Sequence, residues 1–387
     1  MEWCSNREQG EASLLLAVAH SRLGDAQAAQ QCFRDAHVFS ISSLDVALEA
    51  EVEYYEGLSA FALGDLSESR FACLRGFEIV KTPPQWTKSN GIIPVEHVIS
   101  RIEELFAIIH ASEGEYRKGL GYTRAALATL DRCKIGDVFQ EAFALKNLTV
   151  TAREFDIDED ARLLGQRVPA LAWTSDLSRV EFAAVEALGW CSALRGDHVG
   201  ALRLFRRAAA VASTEPERVI VGVDRALIAR AYGHTAMVTE EIEHALGIAN
   251  AFNWDFAGGD SRYALLTLAQ VAAPIEVALA RKSLNRYNGI RTAMDATFAA
   301  RIEPRIRAEE AYTHGLVLRA EGRIDASTER LRSAFETWNR IGYEWRAGRA
   351  ALELAEMNAG DMFRLAVHRE LRTRPDSIFA ARARLVA

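Results

Sequence analysis

The chain has 387 residues, 49% of them hydrophobic and 26% charged, and a formal net charge of −7. This length exceeds the size at which one globular core stops growing, so it predicts two domains or an elongated repeat array. No apolar run of about 18 residues is present, and the N-terminus lacks a basic segment followed by an apolar one, so we expect neither a membrane span nor a secretory signal. The negative charge argues against non-specific nucleic-acid binding through the whole surface.

Motifs for catalysis, metal binding or cofactor binding are missing from the sequence. It contains no Gly-x-x-x-x-Gly-Lys-Ser/Thr, no Gly-x-Gly-x-x-Gly after a strand and no His-Glu-x-x-His. The cysteines are odd in number and form no Cys-x-x-Cys pair, which predicts neither a disulfide framework nor a zinc site: Cys4, Cys32, Cys73, Cys133, Cys191. A reducing cytoplasm is the compartment that suits such cysteines. We therefore predict a cytoplasmic protein that is not an enzyme and holds no cofactor and no metal.

In chain order, one pattern recurs that predicts helical hairpins. A turn glycine has small residues seven positions before it and five and twelve positions after it, as Gly189, Ala201 and Ala208 stand around Gly196. Small side chains let antiparallel helices approach closely, and a left-handed glycine closes a helix C-terminus. The turn glycines are Gly24, Gly64, Gly114, Gly196, Gly233, Gly322 and Gly360.

Two weaker units near Asp156 and Ala273 bring the total to about nine hairpins, at spacings of 37 to 50 residues. Alternating strand patterns are absent, so the predicted class is all-α. We predict a single array over 1–387, with capping helices at 361–387. An inserted loop over 81–97 contains three of the eight prolines and cannot be continuous helix. We interpret it as an ordered loop, and a binding role for it stays open.

The best-matching hairpin resembles the tetratricopeptide repeat (TPR) family, whose period is about 34 residues. The resemblance lies in Gly189, Gly196, Ala201, Phe205 and Ala208. The units here are longer, and a proline after the second helix is mostly absent. The resemblance implies a right-handed superhelical solenoid, in which the first helix of each hairpin lines a concave groove for a protein or peptide.

Carried over from that resemblance, the candidate groove positions combine aromatic and charged side chains, which suits a peptide site. They are Glu51, Tyr54, Leu58, Phe61, Glu186, Trp190, Ala193, Arg230, Glu309, Tyr312 and Arg319. An alternative remains open for the aromatic members. Tyr54, Trp190 and Tyr312 would instead pack against the neighbouring hairpin.

The C-terminal stretch resembles the helical-repeat region of large bacterial LuxR-type transcriptional regulators, in the segments 338–355 and 374–384. This resemblance implies a bacterial protein that acts as the sensor or interaction part of a regulator, here without an ATPase or helix-turn-helix motif. The leading hypothesis is a protein- or peptide-binding scaffold. The alternatives are a small-molecule effector domain and direct nucleic-acid binding through Arg372, Arg374, Arg382 and Arg384, which we interpret as a solvated helical face.

Overall fold

A computed structural model describes most of the chain, and every regular element in the described part is a helix. The described residues are 4–23, 25–62, 65–81, 94–113, 115–133, 142, 144–146, 149, 166–168, 178–231, 233–251, 259–298, 304–377 and 379–386. The predicted all-α class is therefore confirmed. Contacts divide the chain into two compact units, Met1–Ala144 and Leu145–Ala387.

The described part of the first unit contains three helical hairpins, each made of two helices that are consecutive in the chain. Helices α1 and α2, α3 and α4, and α5 and α6 pack against each other, and α3 also packs against α5. The bounds are α1 Asn6–Arg22, α2 Ala26–Ser43, α3 Val46–Ala62, α4 Leu66–Lys81, α5 Val95–Ser112 and α6 Tyr116–Arg132.

The second unit contains five hairpins and a short C-terminal helix in its described part. The hairpins are α7–α8, α9–α10, α11–α12, α13–α14 and α15–α16, and α17 packs against α15 and α16. The bounds are α7 Ser178–Leu194, α8 His198–Val211, α9 Glu215–Ala231, α10 Thr235–Ala251, α11 Gly259–Ala272, α12 Val277–Phe298, α13 Pro304–Ala320, α14 Ile324–Ile341, α15 Glu344–Glu356, α16 Asp361–Thr373 and α17 Ala380–Val386.

Eight of the nine predicted hairpins are thus found. The ninth, near Asp156, lies outside the described residues, as do the turn glycines Gly24, Gly64 and Gly114. Residues 82–93 of the predicted inserted loop also lie outside them. The loop is shorter than predicted, because α5 begins at Val95 directly after an extended Pro94. The single array over 1–387 stays a prediction.

The Gly-Asp pair at the turns has two separate functions. Gly196 has a φ of +82°, in the left-handed region that closes a helix. Asp197 then caps the next helix, because its Oδ1 accepts a hydrogen bond from the Gly200 amide at 2.8 Å. The same capping bond, at 3.1 Å in both cases, is made by Asp25 and Asp65. One dipeptide therefore ends the first helix and begins the second.

The small residues of the repeat pattern lie where the two helices of a hairpin come closest. Ala201 and Ala208 are fully buried. A Cβ atom at Gly189 would lie 2.7 Å from the Phe205 ring, and one at Gly315 would lie 2.6 Å from Leu331 Cγ. Larger side chains there would push the helices apart. No helix in the described part of the chain is long and apolar enough to cross a membrane.

Candidate functional site

In the first unit, a buried arginine brings two of the predicted groove residues together. Arg101 Nη1 donates a hydrogen bond to Glu51 Oε1 at 2.8 Å. The Arg101 guanidinium also lies 4.3 Å from the ring centre of Tyr54 and 4.7 Å from that of Tyr55. Burial raises the pKa of both Glu51 and Tyr54, against the attraction of Arg101. The repeat pattern did not predict a role for Arg101, although an arginine in an apolar first helix was a signal for one.

The other predicted residues on α3 belong to the apolar packing of the first unit. Phe61 and Leu58 are half-buried and pack against a cluster of buried residues from α3, α4 and α5, among them Ala50 and Ile102. The structure therefore shows these two side chains as part of that core.

Two groups of histidine and glutamate in the first unit could hold a metal ion by their geometry. His37 Nε2 lies 3.2 Å from Glu56 Oε2 and 4.0 Å from Glu53 Oε1. Arg75, however, already donates to Glu53 at 2.8 Å and to Glu56 at 3.0 Å. The second group, His110, Glu113 and Glu115, likewise includes an ion pair, from Lys118 to Glu115 at 2.7 Å. Both groups are thus already engaged in ion pairs.

In the second unit, the predicted residues of α7 lie inside their hairpin. Glu186 and Trp190 are only 8% and 9% exposed, and Ala193 is fully buried. The Trp190 ring meets the Phe205 ring edge-on, at 6.1 Å between centres. The Trp190 ring thus packs on the second helix of its own hairpin. A role for Trp190 in a groove stays a prediction.

Tyr312 is buried in the same way on α13. Its ring lies 5.4 Å from the Trp338 ring, and the Arg349 guanidinium lies 4.9 Å from its centre. Burial raises the pKa of Tyr312 to about 12, so its hydroxyl is neutral over the physiological range.

A buried polar network, here called the polar wall, links three first helices of the second unit. It consists of Gln270 on α11, Glu309 and Thr313 on α13, and Arg346 and Arg349 on α15. Gln270 Nε2 donates to Glu309 Oε1 at 2.7 Å and to Thr313 Oγ1 at 2.9 Å. Arg346 Nη1 donates to Glu309 Oε2 at 2.6 Å, and Arg349 Nη2 donates to Gln270 Oε1 at 3.2 Å. These three first helices therefore share hydrogen bonds, where first helices would otherwise pack through apolar residues.

The charges of the polar wall are only partly balanced. Burial acts to raise the pKa of Glu309, but the nearby Arg346 and Arg349 outweigh it and hold that pKa below its usual range. Arg349 is 9% exposed, and its Nε has no hydrogen-bond partner in the described structure. Its guanidinium lies 5.5 Å from the ring centres of both Trp345 and Phe379, in addition to Tyr312. Cation–π attraction to three rings holds this arginine.

A second set of charges, here called the arginine cluster, consists of Arg230, Arg319 and Arg382 with Glu353 and Glu356. Arg319 Nη1 donates to Glu353 at 2.5 Å and to Glu356 at 3.1 Å. Arg382 Nη2 donates to the same two carboxylates, at 3.0 and 2.8 Å. Arg230 lies on α9, and burial together with the positive charge of Arg382 lowers its pKa. Arg319 and Arg382 thus share two glutamates.

Of the predicted groove residues, the structure brings Arg230, Tyr312, Glu309 and Arg319 into linked polar networks within the second unit. The side chains that link them were not predicted: Gln270, Arg346, Arg349, Glu353, Glu356 and Arg382. A signal was present in the arginines of α15 at positions 346 and 349, which share one helix face.

No family model and no curated protein matches this sequence.

Several solved structures are similar to the chain over nearly its whole length. A Rap protein complexed with Competence and Sporulation Factor has a TM-score of 0.62 and 10% identity, over 97% of this chain and 99% of that one. The apo form of the quorum sensor NprR from B. thuringiensis has a TM-score of 0.57 and 12% identity, over 96% and 99%. The apo form of RapI has a TM-score of 0.58 and 12% identity, over 97% of each chain. At such identities the similarity shows a shared helical-repeat fold.

Proposed function

We propose that this chain is a non-catalytic scaffold that binds a peptide, or a peptide segment of a protein, at the polar wall and arginine cluster of the second unit. The observation that carries the proposal is the hydrogen-bonded network across three first helices, from Gln270 through Glu309 to Arg346. A fold that needs only apolar packing gains little from burying such a network. A ligand that requires both hydrogen bonds and a fixed orientation would explain it.

A peptide suits this surface better than a featureless apolar ligand. The backbone of a peptide offers hydrogen-bond donors and acceptors along its length. The amide and guanidinium side chains of the polar wall can pair with such groups. The aromatic rings of Tyr312, Trp345 and Phe379 offer rigid apolar area around Arg349. Aromatic and arginine side chains are the residues that contribute most to binding in protein interfaces. The similar fold of a Rap protein complexed with Competence and Sporulation Factor supports the same class of ligand.

The experiment is affinity selection of a random heptapeptide pool on the immobilised full chain, followed by titration calorimetry with the selected peptides. We expect Arg349→Gln to weaken a selected peptide by about tenfold or more, as for a central interface arginine. Arg218→Gln, which changes an arginine 47% exposed on its side chain, is the matched control and should bind like the wild type. If the folded wild type retains no peptide, the proposed function is wrong.

The regulatory part of this proposal rests on the sequence resemblance. We propose that the scaffold is a cytoplasmic, bacterial sensing or interaction module, arranged as a single array over 1–387, of the kind that LuxR-type transcriptional regulators contain. A small-molecule effector would use the cleft beside Arg349, Glu370 and Phe379, where about 310 Å³ of space is open to solvent. The enclosed part of this cleft is much smaller than a ligand pocket, which favours the peptide.

Direct nucleic-acid binding through the C-terminal arginines is the least supported alternative. Arg374 pairs with Glu370 at 3.2 Å, Arg384 with Asp376 at 3.6 Å, and Arg382 with Glu353 and Glu356. These pairs neutralise charge that phosphate contacts would need. Titration of the chain with duplex DNA at increasing salt tests the alternative, because phosphate binding would weaken steeply as salt rises.

A further inference from the structure

A segment that follows α16 joins the last of the five described hairpins of the second unit to the first. This C-terminal segment comprises the residues 374–377 and 379–386. On α15, the Arg382 Nε donates a hydrogen bond to the Glu356 Oε1 at 2.9 Å. In the turn between α7 and α8, a Cβ atom at Gly196 would lie 2.9 Å from the Cβ atom of Asp376. One short stretch of chain therefore contacts both α15 and the α7–α8 turn.

Between these two contacts, the C-terminal segment supplies two side chains of the proposed peptide site. The centre of the Phe379 ring lies 5.5 Å from the Arg349 guanidinium of the polar wall. The same ring packs against the apolar cluster of α7, α8 and α9 that contains Ile228. The Arg382 Nη2 donates a hydrogen bond to the Glu353 Oε1 at 3.0 Å, within the arginine cluster. The proposed site is therefore complete only while this segment is docked.

The attachment of the C-terminal segment is weak for the distance that it spans. Its helix, α17, has seven residues, and a helix of that length is not stable without packing against a neighbour. The buried residues that the segment contributes are small ones, Ser377, Ala380 and Ala383, and Leu385 is 86% exposed. Parts of a fold with few buried apolar contacts open locally at a small fraction of the global free energy of unfolding. We therefore expect the segment to exchange between a docked and a detached form.

We propose that the C-terminal segment acts as a strap whose docking is coupled to peptide binding: the peptide binds the docked form, and bound peptide holds the segment in place. The inference rests on the proposed function and specifies its regulation. Detachment removes the Phe379 ring from Arg349. It also leaves the Glu353 and Glu356 carboxylates without Arg382, one of the two arginines that they share. A ligand that prefers one of two forms shifts the equilibrium toward that form, and its apparent affinity falls when that form becomes rarer.

Gly196 offers a means to detach the C-terminal segment from outside the proposed peptide site. A Cβ atom at this position would clash with the Asp376 carbonyl oxygen, so Gly196→Ala pushes the segment away from the turn. Gly233→Ala is the matched control, because Gly233 also has a positive φ, of +75° against +82°, and has nothing within 4 Å of its Cβ position. Both variants strain the backbone of a turn, and only one of them disturbs the segment.

The experiment uses the full chain and one heptapeptide selected on the wild type. Calorimetry measures its affinity, and trypsin measures docking, because cleavage after Arg382 requires that this side chain leave Glu353 and Glu356. We expect saturating peptide to slow that cleavage about tenfold in the wild type, and Gly196→Ala to bind the peptide about tenfold more weakly than Gly233→Ala. Arg382→Gln should also weaken binding relative to Arg384→Gln, a control on the same helix whose side chain is 59% exposed.

The outcomes separate this inference from the function on which it rests. Faster cleavage after Arg382 in the presence of peptide would mean that the ligand displaces the segment, and the proposed coupling would be wrong. Equal peptide affinity in Gly196→Ala and Gly233→Ala, with faster cleavage in the first, would overturn the coupling and leave the scaffold function intact. If Gly196→Ala does not fold, equal affinities of Arg382→Gln and Arg384→Gln overturn the coupling instead. A folded wild type that retains no peptide would overturn the function itself.

Discussion

Gly196 and Asp376 are in direct contact, although 180 residues separate them in the chain: a Cβ atom at Gly196 would clash with the Asp376 carbonyl oxygen. The turn between α7 and α8 is therefore also the surface against which the C-terminal segment docks. Glycine is needed there twice, once for its φ of +82° and once for the space that a side chain would fill.

Gly196→Ala is expected to release the C-terminal segment. The left-handed backbone alone costs about 1 kcal/mol for alanine, and the clash with Asp376 adds to it, so we expect a loss of about 2–3 kcal/mol in the free energy of unfolding. Gly233→Ala is the matched control, because Gly233 has a φ of +75° and nothing within 4 Å of its Cβ position. Urea unfolding and limited proteolysis near Arg382 measure the effect, and equal losses in both variants would contradict the docking role.

Substitution of Arg230 and of Arg382 should affect stability in opposite ways. Arg230→Gln removes a half-buried charge that donates to no described oxygen, so the free energy of unfolding should stay within about 0.5 kcal/mol of the wild type or rise. Arg382→Gln breaks bonds to Glu353 and Glu356, and we expect it to cost about 1–2 kcal/mol, since its side chain is 31% exposed. Thermal and urea unfolding check both values. A marked loss in Arg230→Gln would mean that Arg230 holds the fold together.

Glu309 should make the stability of the protein depend on pH. Its folded pKa lies below the unfolded value of about 4.3, so its ionised form stabilises the fold above that pH, and the contribution is lost as pH falls through the folded pKa. Glu309→Gln should cost about 3 kcal/mol at neutral pH, because it leaves Arg346, whose side chain is 17% exposed, without this carboxylate. Urea midpoints at several pH values give the difference between variant and wild type. That difference should shrink at acid pH, and a constant difference would contradict the assignment.

Two glycine substitutions within helices should have opposite signs. Gly189→Ala places a Cβ atom 2.7 Å from the Phe205 ring, and overpacking of this kind costs about 1–3 kcal/mol. Gly247→Ala on α10 has nothing within 4 Å of the new Cβ atom, so the higher helix propensity of alanine should stabilise the fold by about 0.5–1 kcal/mol. Chemical denaturation of the two variants is sufficient. A stabilising Gly189→Ala would show that close helix packing is not the function of that glycine.

The hairpins could be predicted from the sequence because the forces that form them act over short distances along the chain. A left-handed glycine, an aspartate cap three residues before its amide partner, and small residues at fixed offsets all belong to one hairpin, as Gly196, Asp197 and Ala201 show. No residue outside one hairpin is needed to recognise these features. For that reason the helical class and eight of the hairpins were predictable, with the exact start of α5 at Val95 decided by the structure.

The candidate site could be predicted only in part. The resemblance to TPR arrays named Arg230, Tyr312 and Arg319, because the first helix of each hairpin lines the groove there, and their role in a groove of this chain stays a prediction. Whether an aromatic on that face is exposed or packed depends on residues outside its helix, so the sequence left both outcomes open for Trp190, which is 9% exposed. The partners that create the charge balance are distant in sequence. Arg349 meets Gln270 across 79 residues, and only the tertiary structure brings such side chains together.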